Sequence, residues 1–163
     1  MSLKDEIKQT KEFSSKSEEL LIGLLFTADR IKKAMEDDFK EFGLTQQQYN
    51  ILRILRGSKG TGLPTMEIAN RMINKAPNVT RIVDRLIDKG FVCREDSLTD
   101  RRQVVVCISE TGLKALGELD EPINKRNKEI LNDLNQNEIN ELINNLENVR
   151  LSINNYQINK KAK

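Results

Sequence analysis

The 163-residue sequence predicts a mainly α chain of the α+β class, with its strands confined to one β-hairpin. Three observations carry this. Apolar residues recur at three- and four-residue steps through most of the chain, the period of amphipathic helices. Two β-rich runs, Phe91–Glu95 and Val104–Ser109, flank the polar stretch SLTDRRQ, as the arms of a hairpin do. Helix stop and start signals (Gly43, Thr45-x-x-Gln48, Pro77, Gly90) separate the periodic segments.

The elements follow in order. Leu21, Leu24, Leu25, Ala28, Ile31, Met35, Phe39 and Phe42 form one apolar stripe and predict a long helix over about Ser17–Phe42, closed by Gly43. Thr45 and Gln48 form a capping box that opens a helix with Tyr49, Leu52, Ile54 and Leu55 inward. GSKGTG (57–62) is a loop, and a short helix is expected over Glu67–Ile73. Asn74–Ala76 makes a tight turn, after which Pro77 suits the first turn of a helix ending at Gly90. In that helix Val79, Ile82, Val83, Leu86 and Ile87 face inward, and Asn78, Arg81, Asp84, Arg85 and Asp88 face outward. Ser109 caps a helix running to about Leu134, with a kink or break expected at Pro122. Asn135 and Glu138 cap the last helix, where Ile139, Leu142, Leu146, Val149, Ile153 and Tyr156 follow a heptad seam. Asn159–Lys163 are expected to fray.

Composition narrows the function. The net charge is only +2, so any nucleic-acid reading rests on where charges sit. Lys59–Gln103 holds nine basic and six acidic residues, whereas Glu110–Arg150 holds five basic and nine acidic, which suits a DNA-facing head on a solvated support. There is no His, no Gly-rich phosphate loop and no strained nucleophile turn, so an enzyme is not expected. Asp37-Asp38 and Asp120-Glu121 point to different helix sides and make poor acid/base or metal pairs. Two cysteines without His cannot complete an ordinary four-ligand zinc site, and neither metal nor cofactor is expected. No membrane-spanning run or signal peptide is read, so the cytoplasm is the expected compartment, with Cys93 and Cys107 reduced.

Residues Ala76–Gly112 join a short amphipathic helix to a hairpin tipped by Asp100, Arg101 and Arg102, a shape that DNA accepts at adjacent grooves. Glu67–Ile73 and Pro77–Lys89 would be the two helices of a helix-turn-helix, the second lying in the major groove. Asn78 can pair bidentately with adenine, while Arg81 and Arg85 can reach guanine or phosphate. The bland alternative is a small helical domain whose arginines solvate a surface.

The succession Thr80-Arg81-Ile82-Val83-Asp84-Arg85-Leu86, Lys89-Gly90-Phe91-Val92, Asp96, Asp100-Arg101-Arg102 and Ile108-Ser109-Glu110-Thr111-Gly112 closely resembles the MarR family of winged-helix transcription regulators. That resemblance implies a winged helix-turn-helix head with a two-stranded wing over 43–109, and a helical dimerisation region from 1–42 and 110–163. It implies that Asn78, Thr80, Arg81 and Arg85 face DNA. It also implies that Asp100 orients Arg102 toward the minor groove, with Arg101 on backbone phosphate. A homodimer on double-stranded DNA at a pseudo-palindromic operator follows, with half-sites about 10 base pairs apart. The resemblance further implies a repressor released by a small-molecule effector, in a pocket lined by the first and second long helices and the start of the penultimate one.

Two alternatives stay open on sequence. One is a winged-helix protein-interaction module that never touches DNA, since Asp84 and Asp88 dilute Arg81 and Arg85. The other is a thiol-redox-responsive regulator using Cys93 and Cys107, which would oppose one another across the hairpin if Asp96 pairs with Val104. Alternation puts both thiols on the face away from Val92, Val104, Val106 and Ile108, and opposed cysteines rarely meet disulfide geometry. The heptad ends could also close on themselves in a monomer.

Overall fold

A computed structural model describes residues 2–73, 78–97 and 103–161. The chain forms two compact units that divide between Glu121 and Pro122. Seven helices and one hairpin are described: α1 (Leu3–Glu6), α2 (Lys16–Glu41), α3 (Gln46–Gly57), α4 (Thr65–Arg71), α5 (Val79–Asp88), β1 (Val92–Asp96), β2 (Val104–Ile108), α6 (Glu110–Ile130) and α7 (Gln136–Lys161).

In the first unit, helix ends are set by side chains at expected places. Ser15 caps α2 by accepting from Glu18 N–H. Thr45 and Gln48 complete their reciprocal box at the start of α3 (3.2 and 3.1 Å). At the end of α5, Gly90 N–H bonds Ile87 O (2.8 Å) and Phe91 N–H bonds Leu86 O (2.9 Å), with Gly90 at φ +71. This double closure needs a left-handed residue, which glycine supplies at little cost. The four-residue α1, with its own Ser2–Asp5 capping box, is too short to show a period and was not expected.

Helix α4 starts two residues earlier than the sequence predicts, directly after Pro64, and ends at Arg71. Met72 is already extended, because Asn50 Oδ1 on α3 accepts from the Ile73 N–H at 3.1 Å and draws the chain out of the helix. The hairpin has the expected register, with Asp96 opposite Val104 and Cys93 opposite Cys107. Leu63 adds an unforeseen bridge on the other edge of β2, exchanging both backbone bonds with Val106 (3.0 and 2.9 Å). Gly62 makes this approach feasible: a Cβ there would stand 2.5 Å from Cys107 Sγ and 3.0 Å from Val106 O. The segment therefore covers the face that alternation had turned outward, leaving Val105 and Cys107 buried. Val104, expected inward, is instead 54% exposed, at the last pair of the ladder opposite the exposed Asp96.

The core of this unit gathers Phe39, Ile51, Leu52, Leu55, Ile68, Val83, Leu86, Val106, Leu116 and Leu119, all fully buried. Phe39 stacks on Tyr49 at 4.7 Å between ring centroids. Arg56 on α3 holds Asp120 on α6 through two bonds (2.7 and 3.1 Å), so Asp120 is a tether rather than half of an acidic pair. The start of α6 is drawn tightly to the hairpin. Ser109 Oγ donates to Gly90 O (2.6 Å) and accepts from Gly112 N–H (3.0 Å), while Ser109 N–H bonds Phe91 O (3.0 Å). A Cβ on Gly112 would fall 2.2 Å from Phe91 O.

The expected stripe of α2 is buried only at Phe39; Leu21, Leu25 and Ile31 are exposed, Leu25 by 73%. Helix α6 continues through Pro122 without a break. In the second unit, Asn135 and Glu138 cap α7 reciprocally (2.8 and 3.1 Å). The helix extends to Lys161, past the point where fraying was expected, and buries no residue. Its Leu142, Leu146, Ile153 and Tyr156 are all exposed. No helix among the described residues is long and apolar enough to cross a membrane.

Gly112→Ala should destabilise the fold by about 2 kcal/mol or more, since the clash is with backbone rather than a movable side chain. Gly117→Ala, in the same helix with nothing within 4 Å of its Cβ position, should add about 0.5–1 kcal/mol. Urea denaturation of the two variants checks the contrast; equal effects would refute the close packing at Phe91.

Candidate nucleic-acid interface

Helix α5 buries Val79, Val83 and Leu86, half-buries Ile82 and Ile87, and turns Asn78, Thr80, Arg81, Arg85 and Asp88 to solvent. Asn78 occupies the N-cap position, but its side chain makes no capping bond. Its amide is thus spared the usual local duty of a capping asparagine. Arg81 and Arg85 stand one turn apart, and neither makes an ion pair among the described residues.

The outward acids are arranged unequally. Asp84 is held by Arg94 of β1 (Nη2 to Oδ1 2.6 Å), an ion pair joining α5 to the hairpin. Asp88 has no such partner among the described residues. At the far end of the hairpin Ser97 N–H bonds Gln103 O at 2.9 Å. Asp100, Arg101 and Arg102, the expected wing tip, lie outside the described residues, as does Pro77.

Arg94 was not among the expected site residues. The signal was there in the alternation. Arg94 shares the Val92–Val106–Ile108 face of the hairpin, which brings it within reach of a carboxylate on α5. Asp84 is that carboxylate.

The thiols oppose one another as predicted, but neither is activated. Backbone bonds at Phe91–Ser109 and at Ser97–Gln103 place Cys93–Cys107 at a hydrogen-bonded pair by parity, where side chains diverge. Burial pushes the Cys93 thiol up, with its bond to Glu95 Oε1 (3.3 Å) adding to the shift. Burial, and then Glu95, pushes Cys107 to about 11. Both are held neutral, the opposite of a thiolate-based sensor.

Two open cavities flank the first turn of α3. One of about 450 Å³ lies between α2 and α3, lined by Lys32, Glu36, Lys40, Leu44, Gln46 and Gln47. It is lined from α2, the α2–α3 loop and α3, and by no residue of α6, whose start was expected to contribute to an effector pocket. The other, about 470 Å³, includes Lys40, Gln48, Arg85, Asp88 and Lys89.

Comparison with known proteins fits this geometry. The MarR family model matches residues 44–104, the stretch from the start of α3 to the first residue of β2. A MarR transcription factor from Planctomyces limnophilus is 40% identical in sequence, with a TM-score of 0.63. That alignment covers 83% of this chain and 98% of the other. The chain belongs to the MarR family. This MarR-family transcriptional regulator is also 29% identical over 112 residues to FarR of Neisseria gonorrhoeae, an HTH-type transcriptional regulator, covering 69% of the chain and 75% of FarR. It shares its fold with S. aureus MepR, solved as a DNA complex, at a TM-score of 0.73 and 17% identity. That match spans 85% of this chain and 99% of MepR.

The raised thiols give a pH prediction. Holding Cys107 neutral contributes stability that is fully present below the ordinary value of 9.0 and is lost as pH rises toward about 11. Denaturation midpoints should therefore fall between about pH 8 and about pH 10.5, and fall less in Cys107→Ala. An identical slope in that variant would contradict the assignment.

Proposed function

We propose that this regulator binds double-stranded DNA as a homodimer at a pseudo-palindromic operator. Residues 43–109 act as the winged helix-turn-helix head, and residues 1–42 and 110–163 as the helical dimerisation region. The observation that carries the reading is the outward face of α5, where Asn78, Thr80, Arg81 and Arg85 are exposed and both arginines are unpaired among the described residues. An Asn amide suits adenine and an Arg fork suits guanine or phosphate, so this face has the chemistry of direct readout. In the same reading Asp100 orients Arg102 into the minor groove, and Arg101 meets phosphate.

Dimerisation is supported by apolar side chains that one chain leaves in water: Leu21, Leu25 and Ile31 on α2, and Leu142, Leu146, Ile153 and Tyr156 on α7. Rows of exposed apolar side chains along a helix suit an interface. We take the outcome to be repression in the cytoplasm, relieved when a small anionic effector enters the cavity between α2 and α3, where Lys32 and Lys40 supply positive charge.

Binding to DNA upstream of its own gene, measured at several salt concentrations, is the deciding experiment. A sequence-preferring complex with a steep salt slope is expected. Arg81→Ala and Arg85→Ala should each weaken it by roughly five- to hundred-fold, and Arg102→Ala should weaken it with the dimer intact. Absence of both slope and preference would favour the protein-interaction alternative. For the oligomer, sedimentation of Leu142→Glu/Leu146→Glu should show a lighter species than the parent chain; unchanged mass would remove α7 from the interface.

A further inference from the structure

We propose that Arg94 is a positioning residue of the DNA-binding face, one that captures Asp84 and so leaves Arg81 free for DNA. The proposal rests on the DNA-binding reading above. Its starting point is a choice made by Asp84. That carboxylate lies three residues beyond Arg81 on α5, a spacing at which opposite charges on a helix pair with each other. It bonds Arg94 of β1 at 2.6 Å instead, and Arg81 makes no ion pair among the described residues.

The pair is poorly placed to serve stability. The Arg94 and Asp84 side chains are 42% and 49% exposed, and ion pairs at such sites contribute little against solvent. Its effect on the charge of α5 is larger. Asp84 sits one turn from Thr80 and Asp88 and beside Arg81. A free carboxylate there would repel phosphate and draw the Arg81 guanidinium down onto the helix. Binding Asp84 from the hairpin side removes both effects at once. It also ties the base of the wing to the helix that enters the major groove, because Arg94 lies two residues into β1 from Val92.

The test compares Arg94→Ala, Asp84→Asn/Arg94→Ala and Arg81→Ala/Arg94→Ala with the full-length chain, on one operator fragment selected from a random DNA pool. Arg94→Ala should bind roughly tenfold more weakly with a salt slope lower by about one, the loss of a single cationic contact. Removing the carboxylate as well should restore affinity to within about twofold of the parent, and Arg94→Ala should cost less in the Arg81→Ala background than in the parent chain, because only the repulsion by Asp84 remains there. A double variant that stays as weak as Arg94→Ala would show that Arg94 itself contacts DNA and would overturn the proposal, as would unchanged binding in Arg94→Ala. A readout without DNA separates this from the parent reading. In the free protein, the Arg81 guanidinium NMR signals should shift in Arg94→Ala and return in Asp84→Asn/Arg94→Ala; signals that never move overturn the capture of Arg81 whatever the DNA result.

Discussion

The carbonyl of Phe91 is the point on which three elements converge. It accepts from Ser109 N–H where the hairpin closes, and it lies where a side chain on Gly112 would stand. The Phe91 N–H meanwhile terminates α5 by bonding Leu86 O. Helix α5, the base of the hairpin and the start of α6 are therefore referenced to one peptide unit. Ser109 completes the junction by bridging Gly90 O to the first turn of α6. These bonds are short-range and run through backbone groups and the short Ser109 side chain, so the junction is fixed at its base before the Arg94–Asp84 pair ties α5 to the hairpin. Arg56–Asp120 braces the same helix from its other side, through α3.

Much of this architecture was legible because it is written in local chemistry. The Thr45–Gln48 box, the Gly90 stop, the Ser109 cap and the two-residue alternation of the hairpin each act within a few residues of themselves. The outward positions of Asn78, Arg81 and Arg85 followed from helical period, and Thr80 from the family resemblance. What escaped was set by tertiary partners. Helix α4 ends early because Asn50, on another helix, claims the Ile73 N–H. Leu63 joins β2 by a single bridge, which has no period to detect, and it reverses the expected exposure of Cys107. Arg94 was overlooked as a site residue because its meaning depends on which helix packs over the hairpin. The wing-tip assignments to Asp100, Arg101 and Arg102 stand on sequence resemblance.

Both helices that carry the apolar stripes form, and the exposure of those stripes is the informative outcome. Among the described residues the stripe on α2 buries only Phe39, and the seam on α7 buries nothing. The first unit differs: it buries a continuous set of apolar side chains, with Phe39 and Tyr49 stacked among them. Apolar patterning in this sequence therefore serves two ends, internal packing around α3 and α5, and surface along the long helices.

The placement of the two tyrosines has a spectroscopic consequence. The sequence holds no tryptophan and only two tyrosines, Tyr49 and Tyr156. Tyr49 is buried against Phe39 in the first compact unit, and Tyr156 is 66% exposed on α7 in the second. Each unit thus carries one intrinsic fluorophore of contrasting environment. Quencher access distinguishes them without any label, so melting of the head and burial of the α7 surface are separable signals in the unmodified protein.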